Sequence, residues 1–292
     1  MRTLPLSLSS IILGGALAYA DRPFSWLTTL LAVLTTLFLQ ILSNLANDYG
    51  DFSHGLDNDE RQGPARTLQS GALTPAAMKR AIILFSVLSL LSGIALILSG
   101  TRGLLSRESL LFLLLGLLAI GAAIKYTIGK KPYGYYGLGD LFVFLFFGLA
   151  GVLGTYYLNT HRLPADLLLP ASAAGFLATG VLNLNNMRDI EADRRHGKRT
   201  LAVLLGPHNS RIYQLLLLLS TILFSVIYVL RHYHTPWQFI FLIILPPLTG
   251  ILKEVLSAAS PQNLDPQLKK LALTSLLYAF SFGAGMILSQ TP

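Results

Sequence analysis

Ser43–Phe52 reads SNLANDYGDF, and Asn183–Asp193 reads NLNNMRDIEAD. Each stretch closes a long apolar run, so carboxylates and carboxamides stand where a membrane segment would meet water. A bare carboxylate at the centre of a bilayer costs about 3 kcal/mol on the insertion scale, so a chain keeps such groups only where something holds them. Placed on a helix, Asn44, Asp48 and Asp51 share a face by i+4 and i+3 spacing, and Asn47 reaches Asp51 at i+4. Asn185, Asp189 and Asp193 form a second ladder at i, i+4 and i+8. Two acidic ladders imply a shared cation.

The rest of the chain supplies the apolar setting. Hydrophobic residues make up 53% of the 292 and charged residues 12%, against about 25% charged in an average soluble domain. The chain therefore reads as an all-α integral membrane protein. At about 20 apolar residues per span, nine candidate helices fall near 5–20, 26–50, 76–99, 107–124, 138–158, 166–188, 211–230, 236–256 and 268–289. No polar segment is long enough to fold alone, so residues 1–292 read as a single polytopic transmembrane domain. The first apolar run reads as a retained helix, because Ala18–Asp21 only loosely resembles a cleavage site. With no cysteine, the chain has no disulfide, no thiolate metal site and no cysteine nucleophile.

These spans sort the basic residues. Seventeen of the 22 Lys and Arg fall in one set of loops with the N-terminus, and five in the opposite set. The positive-inside rule puts the larger set, the N-terminus and both acidic ladders in the cytoplasm. The net charge of +8 then follows from topology and from whatever anion the cytoplasmic mouth binds, and gives no support to nucleic-acid binding. Eight of the 14 acidic residues sit at the same two helix ends: Asp48, Asp51, Asp57, Asp59, Glu60, Asp189, Glu191 and Asp193. The two regions also look like a diverged repeat, each followed by His-Gly and then Arg-Thr-Leu, at Arg66–Leu68 and Arg199–Leu201. Between them the Gly- and Tyr-rich loop IKYTIGKKPYGYYGLGD, residues 124–140, cannot form a plain helix and is too aromatic for a flexible linker.

Hard divalent cations such as Mg²⁺ take oxygen ligands, commonly one or two carboxylates per ion with waters and substrate phosphates. Two carboxylate-bearing helix ends ringed by Arg66, Lys198 and Arg199 suit a diphosphate bridged to protein through Mg²⁺. The apolar spans around them suit a lipid chain on that diphosphate. Diphosphate is then the leaving group, and the allylic cation it leaves can be stabilised by aromatic faces. Candidate faces are Tyr126, Tyr133, Tyr135, Tyr136, Phe146, Phe147, Tyr156 and Tyr157.

Four fragments in order carry a resemblance: NLANDYGDFSHGLDN, GPARTLQSGALT, YT followed by YYGLGDLFVFLFFG, and NLNNMRDIEADRRHGKRTLAVLLG. The chain resembles the UbiA-type intramembrane prenyltransferases, nine-helix bundles with two Asp-rich motifs. Within them it is similar to the branch that prenylates 1,4-dihydroxy-2-naphthoate in menaquinone synthesis, since Gly55 stands where the 4-hydroxybenzoate branch has a third Asp. The resemblance implies Mg²⁺ ligation by Asn47, Asp48, Asp51, Asn185, Asp189 and Asp193, with Asp48, Asp51, Asp189 and Asp193 catalytic. It implies diphosphate contacts by Arg66, Lys198 and Arg199, with Asn44, Tyr126 and Lys131 also at the substrates. The implied reaction joins a polyprenyl diphosphate to the acceptor at the ring carbon bearing the carboxylate, releasing diphosphate and CO₂ and giving demethylmenaquinone in a bacterial inner membrane. Lys125, Lys130, Lys131 or Arg66 could hold the acceptor carboxylate. The Lys130-Lys131 pair departs from the Gly and Pro often found there, so the loop's contacts transfer less well than the ladders.

Simpler readings stand beside these. Paired Asp at helix ends can be interfacial caps, basic residues there follow from topology, Asp140 can open its helix after Gly139, and the tyrosines can form an interfacial belt. A secondary transporter also uses intramembrane carboxylates and repeats, but nearer the midplane than these ladders lie. The CDP-alcohol phosphotransferases use Asp-rich membrane helices in a tightly spaced DGxxAR-centred motif, which is absent. Homogentisate, 4-hydroxybenzoate and haem B remain open as acceptors.

Overall fold

A run of some 20 apolar residues has one stable answer in lipid, because a helix satisfies its backbone N–H and C=O groups within its own segment. The protein's computed structural model, which describes residues 3–21, 24–55, 68, 70–101, 103, 105–258 and 260–290, shows that answer. Among the described residues nine helical segments are long and apolar enough to cross a membrane, and there is no strand. They are α1 (Leu4–Asp21), α2 (Trp26–Ser53), α3 (Pro75–Gly100), α4 (Arg107–Lys125), α5 (Gly139–Thr160), α6 (Ala165–Arg188), α8 (Leu201–Arg231), α9 (Pro236–Ser257) and α10 (Asp265–Leu288). The short α7 (Ile190–Arg195) lies between α6 and α8. Side-chain caps close several N-termini: Ser25, Thr74 and Ser106 accept from Thr28, Ala77 and Ser109 N–H at 3.2, 3.2 and 3.1 Å.

All but one of these helices end within three residues of the predicted limits. The exception is α8, which begins at Leu201, ten residues before the predicted start at 211. Gly206 and Pro207 look like a loop in sequence, and Gly206, at φ 76° and ψ 169°, does leave the helical path, so residues 201–205 form a short helical piece set off by a kink from the long helix that follows. The kink is served from within: Ser210 Oγ donates to the Gly206 carbonyl at 2.8 Å and lies 3.3 Å from the Ala202 carbonyl.

Helices α1, α6 and α10 form the centre. α6 packs on α8, α5 and α10, while α1 packs on α10, α5 and α2; α4 rests outside on α2 and α3. Lipid tails are as apolar as leucine, so helices there associate through close van der Waals fit and polar contacts rather than through a hydrophobic drive. α6 meets that need with a face of buried Ala171, Ala174, Gly175 and Ala178. Opposite it, α5 passes through a π-helical turn at Phe144–Ala150, and the hydroxyl of Ser10 on α1 donates to the Phe147 carbonyl inside that turn. Gly148 sits at the closest approach, where a Cβ would lie 2.6 Å from the Gly175 Cα and 2.8 Å from the Ala171 carbonyl. Gly148→Val is accordingly expected to destabilise the bundle by about 1–3 kcal/mol through overpacking. A clearly lowered thermal unfolding temperature in detergent checks this, and an unchanged one would show that the two helices can part at no cost.

Candidate active site

The site grows from the last two turns of α2. Asn47, Asp48 and Asp51 line the top of a cavity of about 720 Å³, and Asp48 and Asp51 are buried. A loop can cross this helix because Gly50 carries no side chain: Thr127 lies directly against it, leaving no room for a Cβ. Thr127 Oγ1 donates to the Ala46 carbonyl at 2.9 Å and to Asn47 Oδ1 at 3.3 Å, fixing the loop's register on the helix. The Gly- and Tyr-rich segment then folds back over the site. Gly134 N–H donates to the Tyr126 carbonyl at 3.0 Å, a 3₁₀ turn runs from Tyr133 to Tyr136, and Gly137 reverses the chain at φ 76°. The turn brings the Tyr135 hydroxyl 3.0 Å from Asp51 Oδ1, to which it donates.

The second acidic stretch arrives from the opposite side. Its predicted ladder is not one helix: α6 ends at Arg188, Asp189 stands at the break with φ −100° and ψ 9°, and α7 carries Asp193. After α7 the chain turns at Gly197, φ 71°, and the Lys198 N–H donates to the Asp193 carbonyl at 2.8 Å. That turn drives the Lys198 side chain into the cavity wall, with Nζ 3.4 Å from Asp193 Oδ1 and 5.3 Å above the Tyr135 ring centroid. Next along, Arg199 N–H donates to the Tyr135 carbonyl at 2.9 Å, tying the two halves of the chain together over the mouth.

Carboxylates of both acidic stretches act on one lysine. Burial lowers the proton affinity of the Lys198 ammonium, but the carboxylates of Asp193, Asp51 and Asp189 and the Tyr126 hydroxyl outweigh it and hold its pKa above the ordinary lysine value. Burial pushes the Asp193 carboxyl up to about 6; Lys198 opposes this, and Asp189 and Asp51 reinforce it. Tyr126 is pushed up to about 12, chiefly by burial.

The cavity's walls change character with depth. Below the acidic mouth an aromatic row descends along one side: Tyr126 meets Tyr133 edge-on at 5.3 Å, Tyr133 meets Phe142 at 4.2 Å, and Phe142 stacks on Phe146 at 6.2 Å. Farther along, the lining is aliphatic, with Ile94, Ile97, Leu113 and Leu158 among its members. Asn44 lines the cavity within a small polar group, its Oδ1 accepting from Thr3 Oγ1 and Gln40 Nε2, each at 3.2 Å.

Not every residue singled out from the sequence lies here. Arg66 is outside the described residues. Lys131 and Arg199 are exposed and outside the cavity lining, so Arg199 meets the site through its backbone. Tyr156 is buried outside the lining, its hydroxyl donating to Asp21 where the C-terminal ends of α1 and α5 meet, so it offers no face to the mouth. Asp140 stands in the first turn of α5, where its carboxylate accepts from its own backbone N–H and hydrogen-bonds Tyr213 of α8, in keeping with a residue that opens the helix. Two residues escaped the sequence reading. Arg188 is buried at the mouth and bound to Asn185, Asp189 and Asp265, and Asp265 opens α10 beside it. A basic residue at the cytoplasmic end of a span is ordinary by topology, which hid Arg188; Asp265 had no partner in any motif.

The donors fit a hard cation. They are carboxylate and carboxamide oxygens, and Asp193 keeps one buried oxygen, Oδ2, without a hydrogen-bond partner among the described residues. Among those residues no three Asp, Glu or His side chains converge on one point.

Comparison with known proteins agrees with this architecture. The model of the UbiA prenyltransferase family matches residues 7–288. The chain is 45% identical over 289 residues to the 1,4-dihydroxy-2-naphthoate octaprenyltransferase of Escherichia coli, covering 99% of this chain and 93% of the relative. It is 35% identical to the enzyme of that name from Mycobacterium tuberculosis, covering 99% and 95%. Among solved structures, the apo UbiA homolog from Aeropyrum pernix K1 superposes with a TM-score of 0.72 at 18% identity, over 98% of this chain and 97% of that one. A UbiA homolog from Archaeoglobus fulgidus bound to GPP and Mg²⁺ gives 0.60 at 18% identity, over 99% and 100%. The helical bundle, the two acidic stretches meeting at one mouth and the match over nearly the whole chain lead to one conclusion: this protein belongs to the UbiA prenyltransferase family.

Proposed function

We propose that the protein transfers a polyprenyl group from polyprenyl diphosphate to 1,4-dihydroxy-2-naphthoate, with Mg²⁺ at the mouth of the cavity. One observation carries this reading: two acidic helix ends from separate halves of the chain flank a partly buried lysine above a cavity that turns from charged to aromatic to aliphatic. Such a gradient suits a substrate that is dianionic at one end, allylic in the middle and lipid beyond. The acceptor is the substrate named for relatives sharing up to 45% of their residues with this chain over nearly its full length. Mg²⁺ is further supported by the Archaeoglobus fulgidus homologs bound to DMAPP or GPP with that ion.

The residues divide the work. Asn47, Asp48 and Asp51 from α2, with Asn185, Asp189 and Asp193 from the second stretch, would hold the cation, which when bound neutralises charge on the departing diphosphate. Lys198 adds a fixed positive charge at the same place, and Arg199 and Arg66 are the remaining candidates for phosphate oxygens. The row Tyr126, Tyr133, Phe142 and Phe146 lines the cavity beside the mouth, where aromatic rings would stabilise the allylic carbon as it becomes cationic. The C–O bond breaks with its electron pair leaving on diphosphate. An electron pair of the acceptor ring then forms the new C–C bond at the carbon bearing the carboxylate. Loss of CO₂ returns a pair to the ring, giving the prenylated naphthoquinol, the two-electron-reduced form of demethylmenaquinone. Because CO₂ departs in place of a ring proton, the reaction needs no general base.

The mouth is assigned to the cytoplasmic face, with the N-terminus, on the distribution of lysine and arginine, and the membrane to a bacterial inner membrane. Product analysis by mass spectrometry tests the whole reading. Membranes holding the protein are given an allylic polyprenyl diphosphate, Mg²⁺ and either 1,4-dihydroxy-2-naphthoate or 4-hydroxybenzoate. A prenylated naphthoquinol, or the quinone into which air oxidises it during work-up, formed with loss of CO₂ and only with Mg²⁺, is the expected product. Prenylated hydroxybenzoate keeping its carboxylate would overturn the acceptor but leave the donor site. No product from folded protein would overturn both.

A further inference from the structure

Arg188 is the last residue of α6 and only 4% exposed. Its guanidinium is spread over three side chains. Nε donates to Asp189 Oδ1 at 2.9 Å and Nη2 to Asp189 Oδ2 at 2.7 Å, a two-pronged fork on one carboxylate. Nη2 also donates to Asn185 Oδ1 at 2.9 Å, while Nη1 donates to Asp265 Oδ1 at 2.6 Å. Three oxygens assigned to the cation, both of Asp189 and the one of Asn185, are thus already held by a positive charge. Asp193 differs, with Oδ2 buried and without a hydrogen-bond partner among the described residues.

Building on the metal site of the proposed function, we propose that Arg188 is an internal cation that occupies the Asn185–Asp189 ligands in the metal-free enzyme and gives them up only to metal that arrives with diphosphate. A bare divalent ion must displace a guanidinium whose donors match the carboxylate in number and plane, and the displaced charge would stay beside the ion. Diphosphate changes the exchange, because phosphate oxygens offer the same fork a new partner. Asp265, on a different helix, holds the opposite edge of the guanidinium throughout, so the arginine stays at the cavity wall where the phosphates lie. The device makes metal and donor bind as one unit. Arg188 is in this sense a positioning residue for Asn185 and Asp189.

Mn²⁺ binding to the purified enzyme in detergent, followed by electron paramagnetic resonance without any donor, reads this directly. The variants are Arg188→Lys, which keeps the charge but cannot span three side chains, and Arg188→Ala, which removes it; both are first shown folded by thermal unfolding. Each is expected to bind Mn²⁺ alone at least about tenfold more tightly than the wild type, within the range by which ligand-orienting partners alter metal affinity. A gain in Arg188→Ala alone would mean general charge repulsion and would overturn the fork as the cause. Unchanged or weaker binding in both would overturn the proposal. A control separates this from the site assignment: the wild type should retain farnesyl thiodiphosphate in a Mn²⁺-dependent way. If it does not, the metal site itself is misassigned and the arginine's role falls with it.

Discussion

Asp51→Ala is expected to lower kcat by on the order of 10³-fold, the scale seen when one fixed group that stabilises transition-state charge is removed, while the protein remains inserted and folded. Asp51 is 5% exposed at the top of the cavity, accepts the Tyr135 hydroxyl at 3.0 Å and shares the field of Lys198 with Asp189 and Asp193. Its removal deletes an oxygen donor from the α2 side and leaves Lys198 with one fewer counter-charge. Asp51→Asn makes the comparison sharper. The amide keeps the volume and can still accept from Tyr135, but lacks the charge, so a ligand role requires a loss close to that of alanine. A role confined to anchoring the loop predicts near-wild-type turnover for asparagine. Asp189→Ala, on the other side of the mouth, is expected to abolish turnover in the same way. Single-turnover assays across a range of Mg²⁺, beside thermal unfolding in detergent, check these results. Activity within about tenfold of wild type in Asp51→Ala or Asp189→Ala, a loss no larger than general acid–base or orienting effects give, would sink the metal assignment.

The membrane spans were legible because their signal is uniform: an uninterrupted apolar run leaves lipid as its surroundings and helix as its only backbone solution. The acidic stretches were legible for the opposite reason, since carboxylates at the ends of such runs are costly enough to demand a purpose. What escaped was geometry that cancels an expected local effect. Gly206-Pro207 is a loop signal, but only Gly206 leaves the helical path, and helix stands on both sides of it, with Ser210 serving the carbonyl at Gly206. The π-turn at Phe144–Ala150 leaves no mark in hydropathy, and its partner Ser10 is more than a hundred residues away. Gly50 looks like an ordinary weak point in a helix until Thr127 is seen lying on it. The break at Asp189 was invisible because an i, i+4, i+8 pattern reads as one helix. Arg188 itself was lost in the excess of basic residues that topology already demands on that side.

Lys198 is where the charge arithmetic of the site is most exposed to test. Its Nζ lies 3.4 Å from Asp193 and 5.3 Å above the Tyr135 ring, its side chain is 11% exposed, and neighbouring carboxylates hold its pKa above the normal lysine value, so it carries its charge at any working pH. A fixed ammonium beside the departing diphosphate stabilises charge that grows during C–O cleavage, which makes Lys198→Ala a transition-state defect as well as a binding defect. The expected loss in kcat is about 10²–10³-fold, with a raised KM for polyprenyl diphosphate and an unchanged KM for the naphthoate. Lys198→Arg should recover most of kcat, because the guanidinium keeps the charge and can still reach Asp193 and a phosphate oxygen. The division between the two KM values decides between roles that the sequence could not separate. A lysine that held the acceptor's carboxylate would give the reverse pattern, a raised KM for the naphthoate with the donor's unmoved. That outcome would move Lys198 from the leaving group to the acceptor and leave phosphate binding to Arg188, Arg199 and Arg66.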